Sequence, residues 1–112
     1  MKTYGLGFIV LLISVSSFAG SQTGKLKWLD IRAADGLIYF TLMGEAAVNR
    51  PPCAKHSYSY WVIKDEQSLT GQQQLQLLNL ALMHDKVISV SGFDTCSRWA
   101  DGEDVNVIRI KP

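Results

Sequence analysis

The dipeptide Asp35-Gly36 falls between two apolar-rich segments, Lys25–Ala33 and Leu37–Met43. Asp-Gly tolerates the positive φ of a tight hairpin turn, so the two segments are predicted as adjacent antiparallel strands with no helix between them. That turn excludes a ferredoxin-like sandwich, which needs a helix at this point. In the first segment Leu29, Ile31 and Ala33 alternate with Asp30 and Arg32, the period-two pattern of a half-buried strand, while Trp28 falls on the polar side. In the second, Ile38, Phe40 and Leu42 make one face and Leu37, Tyr39, Thr41 and Met43 the other, so both faces are partly covered.

Further along, Gly44–Lys55 reads as a loop, because Pro51-Pro52 removes ladder donors. His56–Ile63 is a third strand, with Tyr58, Tyr60 and Val62 on one face and Trp61 and Ile63 on the other. A helix is predicted from Gly71 to about His84, capped by Thr70. Its glutamines and leucines favour helix, and Leu75, Leu78 and Leu82 form a stripe widened by Leu77, Leu80 and Ala81. A helix so apolar is read as core. Val87–Ser91 and Val105–Ile110 complete the strands, with Gly20–Gly24 a flexible lead-in and Asp94–Asp104 a loop. The order strand, strand, strand, helix, strand, strand is that of the OB-fold. The predicted class is therefore mostly β with one helix: a five-stranded, OB-fold-like Greek-key barrel whose helix plugs one end. Closure also explains strands with two apolar faces and few edge charges.

The first residues give the compartment. Met1-Lys2-Thr3 is a short basic start, Leu6–Val15 is apolar, and Ser17-Phe18-Ala19 is a small-x-small site. Residues 1–19 are read as a cleaved export signal, cut before Gly20. The apolar run is about half of the roughly twenty residues that span a bilayer, and no cysteine follows the cut to take a lipid, so no membrane insertion is expected. Residues 20–112 then form a single domain, periplasmic or secreted. Two cysteines, Cys53 and Cys96, in an oxidising compartment read as a structural disulfide. The loop between them would stabilise the fold by about 4 kcal/mol in the chain-entropy model. No Cys-x-x-Cys spacing suggests a redox pair.

Charge narrows the partners. Of the eleven lysines and arginines one, Lys2, lies in the leader, so the rest of the chain sets ten basic against ten acidic residues. Such a balance speaks against nucleic-acid binding and against adhesion to an anionic membrane. There is no Gly-x-Ser-x-Gly elbow, no His-Glu-x-x-His and no phosphate-cradling glycine loop. His56 and His84 are isolated, and His84 suits a helix C-terminus. The chain is read as non-catalytic, with no cofactor. The segment Asp94–Asp104 holds four carboxylates, but their spacing does not match a calcium loop. They are read as turn-making and solvated, and no metal site is expected.

Arg98-Trp99, in the same segment, is the more suggestive pair. An indole stacks on the apolar face of a sugar or on a protein partner, and arginine brings a donor fork. Trp99 has a second role open to it, folding back over the disulfide or closing the barrel end. Tyr39, Tyr58 and Tyr60 raise the same alternative, since OB-folds bind ligands on the face of strands two and three, but these tyrosines could equally be barrel interior.

The layout resembles small exported bacterial OB-fold proteins related to the B subunits of subtilase-cytotoxin and pertussis-type toxins. The shared plan is a leader, two strands, a cysteine near the third strand, the Gly71–His84 helix, a short turn and the strand Lys86-Val87-Ile88-Ser89-Val90. It covers roughly residues 25–110, and the stretch Cys96–Val105 is closer to small exported proteins than to the toxin subunits. The resemblance implies glycan binding and a pentameric homo-oligomer. The family's sugar-contacting positions find no match here, and none is carried over. The sequence therefore predicts an exported binding module for a glycan or cell-surface partner. The alternative is an inhibitor or accessory subunit of another exported protein. Candidate ligand contacts are Arg98, Trp99, Tyr39, Tyr58 and Tyr60.

Overall fold

A computed structural model describes Gly7, residues 19–55 and residues 59–112. Apart from Gly7 and Ala19 the predicted leader lies outside the described residues, as do His56 and Tyr58. The fold is mostly β with one helix. Six strands, rather than the expected five, form one mixed sheet: β1 Ser21–Gly24, β2 Leu26–Ile31, β3 Ile38–Leu42, β4 Tyr60–Val62, β5 Ile88–Gly92 and β6 Gly102–Ile110, with α1 (Leu69–Met83) between β4 and β5. The spatial order is β1-β5-β6-β4-β3-β2, antiparallel throughout except for the parallel β4–β6 pair. No helix among the described residues is long and apolar enough to cross a membrane.

The extra strand is a correction to the lead-in. Ser21–Gly24 pairs with Ile88–Ser91 of β5, and Ser21 also exchanges backbone hydrogen bonds of 3.0 and 2.9 Å with Val48. Its inward residue is Gln22, a polar side chain that hides the strand pattern. The Gln22 amide oxygen accepts from Trp61 Nε1 (2.8 Å) and its Nε2 donates to the Glu45 carbonyl (2.9 Å). Burial is tolerated because both ends of the amide are paired.

In β2 the expected inward set Leu29, Ile31 and Ala33 is also revised. A bulge between Leu26 and Trp28 shifts the register, which lets Leu26 and Leu29 both face the core; Ile31, the last residue of the strand, is 63 % exposed. A bulge inserts one residue and so changes which face the later side chains take.

One core lies between sheet and helix: Leu26, Ile38, Phe40, Leu42, Trp61, Ile63, Leu78, Ala81, Ile88, Val90 and Val105. Trp61 and Ile63 are therefore the inward residues after the Tyr-rich segment, and Tyr39 and Tyr60 stay outside the core. The helix is capped by Ser68, not Thr70: Ser68 Oγ accepts from Gly71 N at 3.0 Å. Its buried stripe is Gly71, Leu78 and Ala81, with Leu75 partly buried. Leu80 and Leu82 are each 50 % exposed, so the helix is covered on one narrow side only. His84 is the C-cap residue.

Candidate functional site

The acidic loop expected over Asp94–Asp104 is shorter than the sequence suggests. Strand β6 starts at Gly102, and Glu103 and Asp104 are fully buried strand residues instead of solvated ones. The reason is the supply of donors around Asp104. Its Oδ2 accepts from Thr95 Oγ1 (2.6 Å), Ser97 N (2.9 Å) and Ser97 Oγ (2.6 Å), and its Oδ1 accepts from Arg98 N (3.2 Å). Burial pushes the Asp104 carboxyl up, but the hydrogen bonds from Ser97, Thr95 and Arg98 outweigh it and hold the group below its ordinary range. A carboxylate filled with donors on both oxygens is an anchor for the loop and a poor cation ligand. Among the described residues no group of three or more His, Cys, Asp or Glu is placed to hold a metal.

The loop anchored in this way is fixed at two more points. The Cys53–Cys96 disulfide, with a Cα separation of 6.3 Å, ties it to the one-turn 3-10 helix Pro52–Ala54. Arg98 then forks onto Glu66, Nε to Oε2 at 3.0 Å and Nη2 to Oε1 at 2.8 Å, and its Nη2 also donates to the Asp35 carbonyl at 3.0 Å. The bidentate pair lowers the Glu66 carboxyl and raises the Arg98 guanidinium. Asp35 in turn receives Arg32 on both oxygens, 3.0 and 2.8 Å, which holds its carboxyl far below the usual range. Gly36 beside it has φ +78°, the conformation the Asp-Gly turn needs.

These restraints lay Trp99 on the outer face of β3 and β4. Its ring centroid is 5.1 Å from Tyr39 and 5.2 Å from Tyr60, and the two tyrosines meet edge-on at 5.4 Å. The Arg32 guanidinium lies over the indole, 5.4 Å from its centroid, within cation–π range. All three rings are half-buried. Leu37 and Val62, two residues along the chain from Tyr39 and Tyr60, are fully buried, and Val62 leaves no space at Gly102, where a Cβ would come within 2.4 Å of its Cγ2. The aromatic group is thus packed on itself while keeping part of its surface in solvent.

Of the predicted contacts, Tyr39, Tyr60 and Trp99 come together. Arg98 stands beside them with its fork engaged by Glu66. Tyr58 lies outside the described residues. Arg32, Asp35 and Glu66 belong to the same constellation, though nothing in the sequence marks them as ligand contacts. Arg32 and Asp35 carried only a strand-and-turn signal, and Glu66 is far from Arg98 in the sequence, so only the fold pairs them. A cavity of about 480 Å3 adjoins the loop on its other side, between Lys64, Ser68, Gln74, Phe93, Arg98 and Val105.

No family model matches the chain, and no curated protein and no solved structure is significantly similar to it.

Proposed function

We propose that the chain is an exported, non-catalytic binding module of OB-fold type that recognises an oligosaccharide on the Tyr39–Tyr60–Trp99 surface. The observation that carries this reading is the half-buried aromatic trio, part of its surface open to solvent, with the Arg32 guanidinium over the indole. Ring faces stack on the apolar side of a pyranose, and flanking cations supply donors to its hydroxyls.

The barrel reading is supported by chain connectivity. Strands β1 and β2 stand at the two ends of the sheet order yet are separated by Lys25 alone. Lys25 O accepts from Met43 N at 2.8 Å while β1 pairs with β5. One bent segment therefore joins both ends, as in a small Greek-key barrel whose first strand serves two neighbours. In OB-folds ligands lie on the face of the second and third strands, between the loop joining strands one and two and the loop joining four and five. The corresponding places here are β3 and β4, the 32–37 turn and the 93–101 loop, which together hold the aromatic trio, Arg32 and Arg98. The same site in other OB-folds takes oligonucleotides. The balance of ten basic and ten acidic residues after the leader favours a neutral sugar over a polyanion. Export is supported by the Cys53–Cys96 disulfide and the leader-like start.

The test is a screen of oxidised protein against a panel of free oligosaccharides. Saturable binding is expected, with Trp99→Ala and Arg32→Ala each weakening it about tenfold or more in a domain that still folds. Absence of saturable binding to the panel, or unfolding of the domain by Trp99→Ala, overturns the reading. A five-fold assembly in native mass spectrometry would strengthen the kinship with toxin B subunits.

The alternative, an inhibitor or accessory subunit, is favoured by the cavity beside Phe93, whose largely apolar lining would take a side chain of a protein partner. A protein that co-purifies from the native host and is released by Phe93→Asp would select it.

A further inference from the structure

The fully buried Glu103 sits between two glycines that exist to admit it. A Cβ on Gly20 would lie 2.2 Å from Glu103 Oε1, and one on Gly92 would lie 1.9 Å from Oε2. Gly20 N donates to Oε2 at 2.9 Å, with Asp94 N on the same oxygen at 3.1 Å. Among the described residues no donor reaches Oε1. Gly20 is held from its other side as well, because its carbonyl accepts from Gly92 N at 2.9 Å. Among the described residues the cation that acts on Glu103 is Arg50, 6 % exposed; its Nη1 donates to the Ala54 and Tyr60 carbonyls (3.3 and 2.9 Å) and its guanidinium lies 4.1 Å from the Trp61 ring, while its Nε and Nη2 are buried without a hydrogen-bond partner and neither donates to Glu103.

The scissile bond read from the sequence is Ala19–Gly20. The nitrogen that signal peptidase would release is thus the atom already seated on Glu103. We propose that hydrolysis of this bond turns the Gly20 nitrogen into an α-ammonium that ion-pairs with the buried Glu103 carboxylate, so that leader removal completes the folded domain. Water adds across the peptide bond: Ala19 leaves as a carboxylate, and the Gly20 nitrogen takes up a proton to become a primary ammonium. A peptide N–H has one donor; the ammonium has three, enough to serve Oε1 as well as Oε2. It is charged near neutral pH, since α-amino groups titrate at about 8. A buried carboxylate is tolerated when a cation and hydrogen bonds compensate it. Burial pushes the Glu103 carboxyl up, only partly offset by its backbone donors and Arg50, which is the imbalance a second cation relieves.

The inference rests on the export reading for the cut and is independent of any ligand. The first measurement is the intact mass of the full chain expressed with its leader in a bacterial host that forms disulfides. A product starting at Gly20 is expected; a different start, or an uncut chain, overturns the assigned cut. The second uses oxidised chains spanning 20–112, made with a free or an N-acetylated Gly20, and needs no export. Acetylation removes the charge and keeps one donor. It is expected to raise the unfolding equilibrium constant about tenfold or more, and to have no effect in a Glu103→Gln background. Equal stability of the free and acetylated chains overturns the ion pair. Should Glu103→Gln fail to fold, the wild-type α-amine is labelled with an acylating reagent. At least tenfold slower reaction in the folded than in the denatured protein supports the pair, and equal rates refute it.

Discussion

Asp104→Asn tests whether one buried carboxylate builds the loop that carries Cys96, Arg98 and Trp99. The substitution keeps size and shape, so no cavity complicates the result. The asparagine oxygen can take the Oδ2 place, where Thr95 and Ser97 donate, but its amide nitrogen then faces Arg98 N, which now donates to Oδ1 at 3.2 Å. Two donors meet, one bond is lost, and a backbone N–H is stranded in a part-buried site against the fully buried residue 104. A stranded buried donor costs about 1–3 kcal/mol, and the three surviving bonds lose their charge assistance, which roughly halves their strength. A net loss of about 3 kcal/mol follows. With a urea m-value of about 1.5 kcal/mol per M, the unfolding midpoint should fall by about 2 M.

The pH dependence has a fixed sign. Because the folded Asp104 carboxyl is held below its ordinary value, its contribution is full above about pH 4 and fades as pH falls through the lower folded value. The difference between wild type and variant should therefore shrink in acid. Amide hydrogen exchange at Ser97 and Arg98 should accelerate in the variant. A midpoint shift under about 0.3 M at pH 7, or one that does not shrink in acid, would refute the claim that Asp104 organises the loop.

Three more perturbations probe other links. Gly71→Ala improves helix propensity by about 1 kcal/mol in the abstract, yet a Cβ there lies 1.9 Å from the Asp65 carbonyl oxygen; thermal melts should show destabilisation, and a rise in melting temperature would contradict the packing of the helix start. Removing the disulfide as Cys53→Ser with Cys96→Ser should cost about 4 kcal/mol in chemical denaturation, and a cost below about 1 kcal/mol would mean that Asp104 and Arg98 hold the loop unaided. Arg98→Lys retains the charge but loses the fork on Glu66 and the bond to the Asp35 carbonyl. Since both side chains keep some solvent contact, about 1 kcal/mol is expected, reduced in 1 M salt when measured by urea titration.

What the sequence could yield by itself follows from local rules. The apolar-rich segments Leu37–Met43 and Val87–Ser91 located β3 and β5 to within a residue at each end, the Gln/Leu run located the helix, the Asp-Gly pair located the first hairpin turn, and two cysteines admit one intramolecular bridge. These signals depend only on near neighbours in the chain. Where polar residues point inward, the same rules fail. Gln22 disguised β1 and the acids at 103 and 104 disguised the start of β6, because burial of each is made possible by partners from distant segments: Trp61 for Gln22, Gly20 for Glu103, Thr95 and Ser97 for Asp104. The bulge at Leu26–Trp28 put Leu26 and Leu29 on the same face for a similar reason, since register is set by pairing with β3 and not by composition.

The candidate site divides along the same line. Its aromatic residues were legible as types that stack on ligands. That Tyr39, Tyr60 and Trp99 share one surface, that Arg32 rather than Arg98 covers the indole, and that Glu66 holds the Arg98 fork were decided by tertiary structure alone. Residues 32, 39, 60, 66 and 99 are brought together by strand register, a disulfide and a buried carboxylate, and pairings over such separations leave no periodic trace in a single chain.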